Sequence, residues 1–428
     1  MTSSGNVDIW PAVGTRPAGR LDPVIEIDRD VDWQPPEPRP WSTRTRILAA
    51  GVTAAVAATV WFAGIATPND LAPIFRRAGT AEAMALDDSR AYVSGGNAVR
   101  AYQLSDGAQL WFRRVVGLAH LIALDDDRVA IATVDVGQRP EVWVLDGRTG
   151  AVLWQRQTRY VARAGDVLVV NGPRDGDTLP LRGLATTDGT PRWTVEMEPT
   201  VMVAGVTGPL RTDQVEVLPG HLRVRDLTSG RVVVDTEQDG AISATVVNGT
   251  AILVDQQGMI SAYDAGDGRR LWRQPTPVHG IFESFADCGR YLCHVNDRGT
   301  IALERLTGRR AWKADKRYLT APVDEEHMFV AETFEGFDGS GTAVVDPRNG
   351  GVRTTTAPWR GLGVIEDSEL LVWRYDGPRQ QLIGLFDAVS TRTRIIGRAD
   401  DWAAAPTCVT SARHVLCASV FEIAVWPR

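Results

Sequence analysis

From residue 81 to the C-terminus the chain alternates short apolar runs with turn-forming residues. One stretch reads Leu121-Ile122-Ala123-Leu124, a turn at 125–127, an apolar run over 128–134, a loop, a third run over 141–145, a turn, and a fourth run over 151–154. The runs are rich in Val, Ile and aromatic residues and are bounded by Asp and Gly. They are too short for helices and suit strands, so the stretch predicts one four-stranded antiparallel meander. Nothing after residue 80 carries a helical period.

The third and fourth runs are joined by Asp146-Gly147-Arg148-Thr149-Gly150-Ala151-Val152-Leu153-Trp154, and this segment recurs. With the turn glycine as marker, the copies align on Gly107, Gly150, Gly189, Gly230, Gly268, Gly308 and Gly350, with Ser390 in the eighth. The steps are 43, 39, 41, 38, 40, 42 and 40 residues. A period near forty residues is that of one four-stranded propeller blade. Asp stands four positions before the marker at Asp146, Asp226, Asp264 and Asp346. It suits a carboxylate that accepts backbone N–H groups of a turn, where Gly supplies positive φ. Trp stands four positions after the marker at Trp111, Trp154, Trp193, Trp272 and Trp312, with Val234, Thr354 and Arg394 in copies four, seven and eight. A large flat ring once per repeat suits the gap between neighbouring blades, so these five Trp are expected to be repeat-packing residues.

Eight complete copies run over 81–398, and a ninth, 403–428, has three strands at 405–409, 414–420 and 422–426. Residues 73–77 before 84–88 resemble 110–114 before 122–126, so residues 73–77 are expected to supply the missing outermost strand and close the ring. Closure hides sheet edges that invite aggregation. The expectation is an all-β, eight-bladed propeller, with nine blades allowed by the repeat count, preceded by one transmembrane helix.

That helix is residues 47–66, twenty consecutive uncharged residues. At 1.5 Å per residue they span about 30 Å, one hydrocarbon thickness. Arg39, Arg44 and Arg46 precede it, which places the N-terminus in the cytoplasm and the C-terminal bulk outside. A cleaved signal peptide is the rival reading, and the long n-region favours an uncleaved signal-anchor. Residues 1–46 are polar and Pro-rich and read as a disordered cytoplasmic tail. The expected domains are therefore 1–46 tail, 47–66 anchor and 67–428 extracytoplasmic propeller, in the cell membrane by a single pass.

Composition narrows the chemistry. The net charge of −7 excludes a general nucleic-acid binder, which needs a basic field. The six His are scattered and no two sit at metal-ligand spacing, so no metal site is expected. Cys288 and Cys293 flank one short turn and Cys408 and Cys417 another, which suggests two structural disulfides across hairpins. Four buried reduced Cys remain the alternative. Disulfides imply an oxidising compartment.

The pattern Asp-x-x-x-Gly-x-x-x-Trp on a forty-residue period resembles the pyrroloquinoline-quinone-type repeat of the quinoprotein alcohol dehydrogenase-like propellers, over residues 73–428. The resemblance implies the eight-bladed quinoprotein-like class. Its members include quinone-dependent dehydrogenases and non-catalytic propellers such as the lipoprotein subunit of the outer-membrane β-barrel assembly machine. The dehydrogenases carry adjacent Cys beside the quinone, and no two Cys are adjacent here. Their calcium ligands and catalytic Asp find no counterparts either. No catalytic residue and no cofactor are therefore assigned. The expected function is a non-catalytic, membrane-anchored interaction or envelope scaffold, with a quinone-dependent dehydrogenase of divergent site or a small-ligand sensor as alternatives. The partner is expected to be a protein or envelope polymer on one face of the ring. Connections between second and third strands open on that face and are long at 136–140, 171–183, 333–341 and 375–381. Within them, Asp175-Gly176-Asp177 and Phe337-Asp338-Gly339-Ser340 are Asp/Gly-rich but short of a calcium loop's ligand count.

Overall fold

A computed structural model describes residues 72–428 apart from 126, 134–139, 173–178, 198–201, 205–212, 219–220, 238–240, 276–282, 297, 332–340, 365–368, 379, 401, 403–405 and 420. The expected tail, 1–46, and anchor, 47–66, lie outside the described residues, as do both Asp/Gly-rich segments and most of the loops at 136–140, 171–183 and 333–341. Among the described residues no helix is long and apolar enough to cross a membrane.

Every described element is a strand, and every pairing is antiparallel between neighbours in the meander or at its closure. The second sheet is representative: Leu118–Asp125, Arg128–Thr133, Glu141–Asp146 and Val152–Gln157 pair in that order. Six such four-stranded sheets follow one another from Ala83 to Asp315. The closing sheet makes a seventh: Phe75–Ala78 pairs with Glu422–Pro427, followed by His414–Ala418 and Thr407–Thr410. Phe75 lies opposite Val425, so the first described strand completes a sheet built from the last three.

The expected count of eight blades needs correction: seven separate four-stranded sheets are described, not eight. The remaining strands, from Tyr318 to Asp400, form one seven-stranded sheet. Its middle strand, Val352–Val364, belongs to both halves. Thr354 and Thr355 pair with Val344 and Ala343. Farther along, Arg360 and Gly361 pair with Trp373 and Val372. Some links between copies are broken by a left-handed residue, as at Gly117 with φ of 68° and Lys316 with φ of 55°. Between Val352 and Arg360 there is none, and Pro358 favours extended backbone in the residue before it.

Apolar residues of adjacent sheets interlock at each seam. Tyr92, Val99 and Trp111 meet Leu121, Val129 and Ile131 between the first and second sheets. Leu371, Ile383 and Leu385 meet Val415, Cys417 and Trp426 at the entry to the closing sheet. Phe75, Leu416 and Val425 meet Ala91, Val93 and Tyr102 at its exit, which completes the circuit. Inside the seven-stranded sheet, Phe329 and Val344 pack on Leu370, Val372 and Phe386 in the same manner. Second strands are the most buried, as in Thr250–Asp255 and Tyr291–Asn296, where every residue is buried. This accounts for their unbroken apolar runs, because both faces are covered.

Candidate functional site

The recurring turn is built by its Asp. Asp146 accepts the N–H of Arg148 at 3.1 Å and of Thr149 at 2.7 Å, and the Thr149 hydroxyl at 2.8 Å. These bonds from Thr149 and Arg148 hold its carboxyl below the usual range. The Gly150 N–H returns to the Asp146 carbonyl at 2.9 Å, with φ of 69° at Gly150. In the eighth copy the left-handed position is Thr391, with φ of 57°, one residue beyond the Ser390 that repeat alignment marks.

Each repeat Trp lies against the turn glycine of the next sheet. A methyl group on Gly150 would stand 2.8 Å from the Trp111 indole, one on Gly189 2.7 Å from Trp154, and one on Gly230 2.5 Å from Trp193. Trp272 lies on Gly308 and Trp312 on Gly350 in the same way, and Val234 takes the place on Gly268. Phe75 of the closing strand does so on Gly107. The likeness of 73–77 to 110–114 would put Ile74 in that role, so the structure shifts it by one residue. Four indoles also donate to a carbonyl of the turn they cover: Trp111 to Gly147 at 2.9 Å, Trp154 to Thr186 at 3.1 Å, Trp272 to Arg305 at 2.8 Å and Trp312 to Pro347 at 2.6 Å.

Both disulfides are formed, Cys288–Cys293 and Cys408–Cys417. Cys408 and Cys417 are directly opposed, with Cα atoms 4.1 Å apart. Cys288 faces Tyr291 instead, so its bond to Cys293 runs diagonally over a Cα separation of 5.8 Å. Among the described residues no three His, Cys, Asp or Glu side chains are grouped to hold a metal ion.

Two features escaped the sequence. The first is a polar network at the first seam, buried at Asp87, Arg90 and Tyr92 and reaching out to the exposed Asp127. Tyr92 donates to Asp87 at 2.8 Å, and Arg90 bridges Asp87 at 3.3 Å and Asp127 at 3.4 Å. Burial raises the Tyr92 pKa, so the phenol stays protonated. These groups satisfy one another, and the network cross-braces two sheets.

The second is a cavity of about 220 Å³ at the seam between the closing and first sheets. It lies where the chain leaves the outer strand Phe75–Ala78 and crosses to the inner strand Ala83–Leu86. The crossing is tight: a methyl group on Gly95 would overlap the Thr80 carbonyl oxygen at 2.0 Å. Arg100 and Tyr102 line the cavity from the third strand of the first sheet, and Ala78, Val93 and Ile423 supply apolar wall. Among the described residues no Asp or Glu lines it. Because strands alternate in direction, the cavity opens on the same face as the second-to-third strand connections. Repeat alignment sets Arg100 level with Trp143 and Ser261, so no periodic signal marks it. Of the expected partner rim, Tyr375, Asp376, Gly377 and Pro378 are described and exposed.

A family profile described as outer membrane protein assembly factor BamB, of the PQQ-repeat type, matches this chain over residues 48–175, 95–243 and 180–359. A curated relative, outer membrane protein assembly factor BamB of Yersinia pestis, is 27% identical over 228 residues, which is 47% of this chain and 56% of that protein. The match thus spans about half the length of the relative. Among solved structures, a eukaryotic initiation factor aligns over 80% of this chain and 95% of its own, with a TM-score of 0.56 and 15% identity. BamB from Moraxella catarrhalis aligns over 83% of this chain and 90% of its own, with a TM-score of 0.39 and 15% identity. At these identities the first likeness speaks to the fold alone, and the second adds no argument.

Proposed function

The chain belongs to the PQQ-repeat family of outer membrane protein assembly factor BamB, and from that premise we propose that it is a non-catalytic, envelope-associated propeller that binds protein partners. The observation that carries this reading is the family match, which runs through residues 48–359. The relative's name is that of an assembly factor, a role exercised by contact with other proteins. The two disulfides suit an oxidising compartment outside the cytosol. Residues 47–66 serve as the membrane anchor in this reading, with 1–46 cytoplasmic and 67–428 outside. The seven-stranded sheet is taken as two repeat copies run together through Val352–Val364, which makes nine repeats around the ring.

The partner surface is placed on the face where second and third strands connect, since surface loops held on a rigid scaffold are where binding concentrates. Photo-crosslinking residues placed at Gln257 and Asp376, both exposed on that face, should capture discrete envelope proteins in cells. The same chemistry at Arg148 and Thr228, in the Asp-turns of the opposite face, should capture few or none. Capture confined to the Asp-turn face would reverse the assignment. A reporter fused at Arg428 that is active only in the cytosol would overturn the extracytoplasmic placement.

A further inference from the structure

We propose that the seam cavity is a carboxylate-binding site, in which Arg100 and Tyr102 hold the two oxygens and Ala78, Val93 and Ile423 receive a short apolar tail. Tyr102 is only 6% exposed, and its hydroxyl makes no hydrogen bond among the described residues. The residue lines the cavity beside Arg100, so its phenol and the guanidinium are two donors at one wall. Burial raises its pKa, against the opposing pull of Arg100 and Arg77, so at neutral pH it is a hydrogen-bond donor. Arg100 spends one donor on the Gly95 carbonyl at 3.2 Å, and its guanidinium lies 5.3 Å from the Phe112 ring centroid. It has no acidic partner among the described residues. A guanidinium offers five N–H groups, so most of its capacity is uncommitted.

The wall chemistry selects the ligand. Arg100 is the cation of the lining, while Arg77, which also acts on Tyr102, is committed to the Arg76 and Gly107 carbonyls; one cation and one neutral donor match a monoanion, whereas a phosphate dianion calls for more positive charge. The cavity, about 220 Å³, is smaller than the 300–1,000 Å³ usual for drug-sized ligands, so it admits a short-chain acid or the last residue of a peptide. Gly96 lines the cavity, and an added methyl group there would meet nothing within 4 Å. The site does not depend on the scaffold reading, and its failure would leave that reading untouched.

Calorimetric titration of the full-length protein with butyrate, with butyramide as the uncharged control, tests the assignment. Saturable binding of butyrate and none of butyramide is expected. Arg100→Gln should weaken butyrate binding at least about tenfold, the loss of a charge-assisted bond. Tyr102→Phe removes only a hydroxyl that makes no protein hydrogen bond, so the fold should persist, with affinity down roughly fivefold. A tripeptide ending in Val, with its terminus free or amidated, separates the sources: tighter binding of the free-ended peptide than of butyrate marks a chain terminus, and the reverse a free acid. No saturable binding of either carboxylate would overturn the proposal. So would butyrate affinity unchanged in Arg100→Gln with an intact circular dichroism spectrum. Should that variant not fold, unchanged affinity in Tyr102→Phe would overturn it alone.

Discussion

Trp154 and Trp193 hold equivalent places against the turn glycines of their neighbours, yet only Trp154 uses its indole N–H, which donates to the Thr186 carbonyl at 3.1 Å. The Trp193 nitrogen is buried without an acceptor among the described residues. Trp154→Phe should therefore destabilise the protein more than Trp193→Phe, by about 1 kcal/mol, as read from urea unfolding midpoints. Equal losses at the two sites would show that ring size alone matters. His294 offers a second residue-scale test. It is fully buried, and burial pushes its pKa from 6.5 down to about 4. Between those values the unfolded chain binds a proton that the native one refuses, so stability is full above pH 6.5 and falls as pH drops towards 4. The loss should reach about 3 kcal/mol and should flatten in a His294→Leu variant measured across the same range. The repeat Trp and turn Asp were legible because they recur in register. Phe75 and Val234 were not, because each does the same work with a different side chain. Trp402 and Trp426, whose rings meet edge to face at 5.9 Å, fall outside the register altogether.

At the scale of strands and turns, hydrophobic alternation and Asp/Gly punctuation located the second sheet to within a few residues. What it missed was the strand Val352–Val364, because Thr354, Thr355, Pro358 and Gly361 read as a link between copies, whereas the backbone runs through them as one extended strand. The cysteine hairpins were legible from spacing, but their register was not. One disulfide is directly opposed and the other diagonal, a distinction fixed by where the turn begins. Each closes only a short loop, with sequence separations of 5 and 9. Replacing both Cys408 and Cys417 by Ser should cost about 2–3 kcal/mol and lower the melting temperature without dissolving the fold. Collapse of the β-sheet signal in that variant would mean that the closing sheet depends on its staple. The seam cavity was illegible in principle, since Thr80, Tyr102 and Ile423 meet only through closure.

For the molecule as a whole, the decisive pairing is Phe75–Ala78 with Glu422–Pro427. Arg77 reinforces it by donating to the Gly107 carbonyl at 2.8 Å, which ties the closing strand to the next sheet. Without that strand, Glu422–Pro427 becomes a bare edge, and Gly107 and Tyr102 lose the ring that covers them. A chain whose residues 72–78 are replaced by a Gly/Ser linker should elute as oligomers in size-exclusion chromatography, because open edges pair with one another. A monodisperse monomer with an unchanged melting temperature would show that the remaining seams suffice.

The pairing of Phe75 with Val425 also sets a timetable. The two partners lie far apart along the chain, so the final lock cannot engage until Glu422–Pro427 has been made. A message truncated anywhere upstream of Glu422 yields no sealed product, only an unfinished one with a sticky flank. Proteolytic surveillance thus gains a simple criterion: a polypeptide that stops short of Glu422–Pro427 is recognisable by the edge it still exposes.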